Sequence, residues 1–302
     1  MKKIKVFSLL IVLSTGVLAQ NWGEYDPYLS NPSLGAHNEM LKIGSLYQTE
    51  MTAYDYNPKS WLFWATSPFN NQRVAWGLKL SSIEGGVLKN TSAEANFIYN
   101  IPLSETRLSF SLGGSVNQLQ LIRERVEVYD LNDPIIQGAE SGNWFNANFG
   151  ISFSKVNTYY FGLAAYNLLP SQTNWMVSSF ENKSKITYNL SGMYTFDFLE
   201  GNLQWELTGL ASTNHPENFD LLKYCISTRI MFFKKSFWIG TGYLNETTIK
   251  GNFGVNVQNV SFAYTGYYSL GTASNYGYSF TKHEVVVILK LPYSKASKNS
   301  GA

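Results

Sequence analysis

Cysteine is nearly absent: Cys225 is the one thiol in 302 residues. Without a second, the chain cannot close an internal disulfide, so packing and backbone hydrogen bonds must stabilise it. Charge is scarce as well. Asp, Glu, Lys and Arg make up 15% of the chain, where a soluble globular protein carries about a quarter. The net charge is +2, and Lys and Arg are scattered, which removes the basic patch that nucleic-acid binding requires. Long apolar runs are missing too: no stretch reaches the roughly 18 consecutive apolar residues of a membrane-spanning helix. The 3 histidines are far apart in sequence, and no metal or other cofactor is expected. His283-Glu284 resembles the start of a zinc-protease helix, but position 287 is valine and the segment alternates like a strand. There is no Gly-x-Ser-x-Gly elbow, so the chain reads as non-catalytic. A serine hydrolase assembled across strands, which spacing cannot reveal, stays as a distant alternative.

What the chain has in excess is aromatic residues, at 16% with 20 Tyr, 19 Phe and 8 Trp. The N-terminus combines Lys2 and Lys3 with an apolar stretch from Val6 to Leu13 and small residues before Ala19, the pattern of a secretion signal cleaved after residue 19. Residues 20–40 lack alternation and contain Pro27, Pro32 and Gly35; they read as an irregular periplasmic or plug-like lead-in. One barrel domain is expected over 41–293, followed by a polar tail over 294–302.

From Leu41 onward, segments of about ten residues alternate between apolar and polar, as half-buried strands do. The clearest runs from Trp144 to Ser154, with Phe145, Phe149, Ile151 and Phe153 opposing Asn146, Asn148, Gly150 and Ser152. Some fourteen such segments are counted, with twelve to sixteen compatible with the weaker ones. Even-numbered connections are short. The odd-numbered ones include long loops over Gln120–Asn143 and Leu168–Ser184, the asymmetry of outer-membrane barrels. The expected fold is therefore an all-β, transmembrane, antiparallel up-and-down barrel with both termini in the periplasm, integral to a bacterial outer membrane and in contact with its lipid. A soluble two-sheet sandwich would alternate too. The aromatics near strand ends, Trp144, Tyr159, Trp205, Trp238, Tyr243, Tyr264 and Tyr276, favour the barrel as interfacial girdles.

Charges inside strands share parity with the polar face: Lys79, Glu94, Arg107, Glu206, Arg229 and Glu284. Symmetry about the intervening turns sets Lys79 opposite Glu94 and Glu206 opposite Arg229, a lumen charge network. On this parity Phe149→Arg destabilises several times more than Asn148→Arg. In the long loops, Asp130, Asp133, Trp175, Met176 and Phe180 place acidic and aromatic groups where a protein partner would dock.

Three motifs resemble the PorP/SprF family of type IX secretion and gliding machinery. Asn31-Pro32-Ser33-Leu34-Gly35 is similar to the family's Asn-Pro-Ala-x-x-Gly element ahead of the first strand. Lys282-His283-Glu284-Val285 is similar to its Ser-His-Glu-Ile at the start of the last strand. Arg229 followed by Phe237-Trp238-Ile239-Gly240-Thr241-Gly242-Tyr243 is similar to its Arg-containing strand leading to an aromatic-Gly-x-x-Tyr strand. In the first strand the chain departs, with Leu46-Tyr47-Gln48-Thr49 where the family carries Arg and Trp around a Gln. The resemblance implies a non-catalytic outer-membrane partner that helps export or anchor a large surface adhesin through the adhesin's C-terminal sorting domain. Its partners would be the type IX secretion components and that secreted protein. The rival reading is a channel or transporter for small hydrophobic molecules, as in fatty-acid-transport barrels.

Overall fold

The computed structural model describes residues 22–35, 40–50, 56–69, 73–125, 141–169, 172–173, 182–183, 185–218, 221–245, 247–270 and 280–292. Strands β1 (Met40–Glu50), β2 (Lys59–Pro68), β3 (Val74–Gly85), β4 (Leu88–Leu103), β5 (Thr106–Leu121), β6 (Ser141–Lys155) and β7 (Tyr159–Tyr166) follow one another around a wall. β8 (Gln172–Thr173) and β9 (Asn182–Lys183) form a separate two-residue pairing that is not hydrogen-bonded into the wall. The wall continues through β10 (Thr187–Phe198), β11 (Leu203–Thr213), β12 (Lys223–Phe232), β13 (Phe237–Leu244), β14 (Thr248–Val257), β15 (Val260–Ser269) and β16 (Phe280–Pro292). These strands, all but β8 and β9, close one antiparallel barrel, each beside its sequence neighbour. β1 completes it by pairing with β16 from Met40↔Pro292 to Glu50↔Lys282. Every strand of the wall thus has two partners and the barrel leaves no edge for water or lipid to satisfy, as a hydrocarbon environment demands.

Alternation decides which way each side chain points. On β5 and β6, Leu112 and Phe145 are 64% and 69% exposed, whereas Asn146, Asn148, Ser109 and Ser111 are buried. An apolar outer surface with a polar interior is the inverse of a soluble protein and matches a wall bathed in lipid. The connections alternate as well. At one end they span 69–73, 104–105, 156–158, 199–202, 233–236 and 258–259, while the other end carries the long 122–140, 167–186, 214–222 and 270–279 together with 51–58 and two tight connections at 86–87 and 245–247.

Outside, near the short turns, a chain of rings runs Phe153, Tyr159, Tyr194, Phe196, Trp205, with successive centroids 6.0, 6.4, 4.7 and 5.0 Å apart. Toward the long loops, Tyr47 lies 4.5 Å from Trp61; Phe253 and Tyr264, 5.6 Å apart, sit midway along β14 and β15. Amphipathic rings at two levels of the wall mark its two interfaces. Two aromatics assigned to these girdles belong elsewhere. Trp238 is buried inside the barrel, where its ring sits 5.3 Å from the Arg229 guanidinium. Trp144, paired with Asn117, is in register with inward-facing Asn146 and Asn148. Aromatic content alone does not separate a ring at the interface from one that fills the lumen.

Candidate functional site

The lumen is occupied by the chain's own N-terminal segment. Trp22–Glu24, Pro27–Leu29 and Pro32–Leu34 form three single-turn 3-10 helices. The side chains of Asp26 and Asn31 cap the second and third by accepting hydrogen bonds from the backbone N–H of Tyr28 and Ser33. Each cap is followed by a proline whose fixed φ suits the first helical position. Self-capped turns suit an irregular segment inside a barrel, because they satisfy much of its backbone locally.

Apolar packing comes first. Trp22, Tyr28 and Leu29 form a buried cluster with Leu46, Leu62, Trp64, Val286 and Ile288 from the inner faces of β1, β2 and β16. Full burial of such side chains contributes roughly 1.5–3 kcal/mol each. Ile98, an apolar residue on the polar face of β4, is explained by the same contact, since it is fully buried where Gly35 abuts the wall.

Ion pairs then tie the segment to the wall. Lys42 of β1 donates to both carboxylate oxygens of Asp26, at 2.8 and 2.9 Å, and Trp64 Nε1 donates to the same carboxylate at 3.1 Å. Lys250 of β14 lies 2.7 Å from Glu24, with its side chain fully buried. The Glu24 carbonyl accepts from Arg229, and Trp22 Nε1 donates to Gln48. Tyr25 and Tyr267 both donate their hydroxyls to Glu284 at 3.0 Å, and Lys282 lies 3.0 Å from that carboxylate. Buried charges that each meet an opposite charge and further hydrogen bonds hold a defined geometry, whereas stripping one partner leaves an uncompensated charge.

On the opposite wall, Asn31 donates from Nδ2 to the carbonyls of Ile151 and Leu163, at 3.0 and 3.1 Å. Gly150 and Gly162 make that seat: a Cβ on either would fall 2.4 or 2.3 Å from the Asn31 amide. Asn96 Nδ2 donates to the Tyr28 hydroxyl at 2.9 Å, and Tyr166 and Asn189 donate to the Ser30 carbonyl. One short segment thereby contacts wall strands from β1 round to β16.

Within the wall, Lys79 and Glu94 pair across β3 and β4 at 2.7 Å, and Glu206 and Arg229 across β11 and β12 at 2.7 Å. Each couple is directly in register. Glu284 is fully buried, whereas neighbouring His283 points outward and its ring nitrogen lies 2.7 Å from the Tyr264 hydroxyl. The residues Asn31, Pro32 and Gly35 all lie in the luminal segment and are buried. Asp130, Asp133, Trp175, Met176 and Phe180 lie outside the described residues, as do residues 1–19 and 294–302. Glu24, Asp26, Lys42 and Lys250 escaped the sequence reading, and Gln48 and Lys282 entered it only as motif letters without a luminal role. Lys42, Gln48, Lys250 and Lys282 share the inward parity of their strands, which is the signal that could have found them.

The family model for the type IX secretion system membrane protein PorP/SprF matches residues 24–289. No characterised protein matches the chain in sequence. Among solved structures, a Pseudomonas aeruginosa FadL homologue superposes with a TM-score of 0.51 at 9% identity, covering 87% of this chain and 93% of that one. The Acinetobacter baumannii outer membrane protein Omp33 gives 0.49 at 8% identity, over 85% of this chain and 99% of that one. The Ralstonia pickettii toluene transporter TbuX gives 0.49 at 10% identity, over 87% and 92%.

Proposed function

The chain belongs to the PorP/SprF family of type IX secretion membrane proteins, and from that premise we propose that it is a non-catalytic outer-membrane platform that helps export or anchor a large surface adhesin through the adhesin's C-terminal sorting domain. The observation that carries the reading is the filled lumen. A barrel whose interior holds Trp22–Gly35, fastened by Asp26–Lys42 and Glu24–Lys250 pairs, is suited to present surfaces at its ends rather than to pass solutes. In this reading the short turns and both termini face the periplasm, and the loops 122–140 and 167–186 face outward and carry recognition. Loops on a rigid scaffold are where binding surfaces concentrate.

The test replaces both loops by short Gly/Ser segments in the native bacterium, with barrel insertion verified separately. Surface display and release of large adhesins are then measured. Loss of display with normal insertion is the expected result. Normal display together with reduced uptake of a small hydrophobic solute would overturn the platform reading in favour of transport.

A further inference from the structure

Between the luminal segment and the short-turn rim lies a cavity of about 150 Å³. Gly23, Glu24 and Tyr25 roof it, and Asn157, Lys235 and Asn256, from or beside three short turns, stand at its mouth. Tyr160, Met193, Met231, Trp238, Val286 and Ile288 supply the apolar part of its wall.

Its charges do not balance. Four cations line it: Lys42, Arg229, Lys235 and Lys290. Lys42 is held by Asp26 and Arg229 by Glu206. Glu24, the other lining carboxylate, is held by Lys250. Among the described residues, Lys235 and Lys290 have no carboxylate within ion-pair distance, which leaves two ammonium groups facing a partly apolar chamber. Burial holds the Lys235 ammonium below the ordinary lysine range, with Glu206 acting in the opposite direction. A cavity of this volume takes a benzene-sized molecule. Lysine ammoniums are compact point charges, and the two oxygens of one carboxylate can each accept from one of them.

We propose that this chamber is a binding site for a small organic carboxylate, entering through the short-turn mouth with its charge between Lys235 and Lys290 and its apolar body against Met231, Trp238 and Val286. The inference does not depend on the secretion role, because it rests on the lumen below the luminal segment rather than on the loops.

The full-length protein in detergent micelles is titrated by calorimetry with benzoate, with its neutral isostere benzamide, and with inorganic phosphate. The ¹³C-methyl resonances of Met193 and Met231 report where binding occurs. Benzoate is expected to bind more tightly than either competitor and to shift both methionine signals. In Lys235→Met/Lys290→Met, whose insertion is checked by heat-modifiable migration on a gel, benzoate affinity is expected to fall at least about tenfold while benzamide affinity holds. Any one of four results overturns the site: no benzoate binding, unchanged affinity in the double variant, benzamide or phosphate binding as tightly as benzoate, or binding without the methionine shifts. The methionine signals and the three-probe comparison are read on the wild-type protein, so they decide the matter even if the double variant fails to insert.

Discussion

Asp26 accepts hydrogen bonds from the Lys42 ammonium, the Trp64 indole and the Tyr28 backbone, with its own side chain fully buried. Replacing one member of such a pair strands the other charge, at about 3–5 kcal/mol. Asp26→Ala should therefore lower stability by that order in urea unfolding from lipid vesicles. Asp26→Ala combined with Lys42→Met should recover most of the loss; an additive double variant would show that the two charges are not coupled. On the outer face the deciding solvent is lipid. Phe149→Arg places a charge on the lipid side at the middle of β6 and should lose about 2–4 kcal/mol. Phe145→Arg, four residues nearer the long loops, should lose much less. Equal losses at the two positions would place the bilayer differently along β6. The sequence expectation that Asn148→Arg is the milder neighbour of Phe149→Arg needs revision on the structure. Asn148 is 2% exposed and its Oδ1 crowds the space above Gly113. An arginine there would overpack a filled interior and bury an unpaired charge, so both substitutions should destabilise.

The luminal segment and the strands were legible to different degrees, and the reason is periodicity. A strand announces its inward face every second residue, and a tight turn fixes register. That is why Lys79/Glu94 and Glu206/Arg229 could be placed opposite one another, from symmetry in the loop after Ser82 and about His215 to Asp220, although the second connection is not a tight turn. Residues 22–35 have no period, and their contacts with Lys42, Lys250 and Glu284 depend on the closed barrel, so sequence gives a lead-in but not its seat. Trp144 and Trp238 show the same limit from the other side: parity was available for both, and composition suggested the girdle instead. As an element, the segment can be removed. Deletion of residues 22–35 should turn a barrel of low conductance into an open pore in planar bilayers, provided heat-modifiable migration shows that the wall still folds. Because Lys42 and Lys250 would lose Asp26 and Glu24, the pore should prefer anions, which the reversal potential under a salt gradient measures. Unchanged conductance after deletion would mean that something else closes the lumen.

At the scale of the molecule, most of the wall's stability comes from a hydrogen-bond ladder without edges, and its shape is set by closure of β1 on β16. The interior adds a second, smaller core around Trp22, Tyr28 and Trp64, of the kind a soluble protein would build at its centre. That dual construction reconciles low charge with a tied interior: the outer surface needs lipid, and the inner one needs partners supplied by the chain itself. Buried pairs with side chains at 0–6% exposure, such as Asp26–Lys42 and Glu24–Lys250, are weakly screened by salt. Thermal unfolding in detergent should therefore move little between low and moderate ionic strength. A large drop in midpoint with salt would place the important charges at the surface.

The contact between Tyr25 and Glu284 spans 259 residues, and it sets an order of events during biogenesis. The segment that ends up enclosed leaves the synthesis machinery before any strand, yet some of its anchors belong to the last strand to arrive. Loop closure over such a separation is slow. Once β1 and β16 have zipped, the only way in is threading through a mouth. Residues 22–35 must therefore wait inside the curling sheet, with Lys42 as the earliest available anchor, and the seam shuts around them. In a pulse-chase of outer-membrane assembly, Asp26→Ala should lengthen the lag before the heat-modifiable form appears by more than Asn31→Ala does, whose seat on β6 and β7 comes later in the chain. A longer lag for Asn31→Ala would reverse that order.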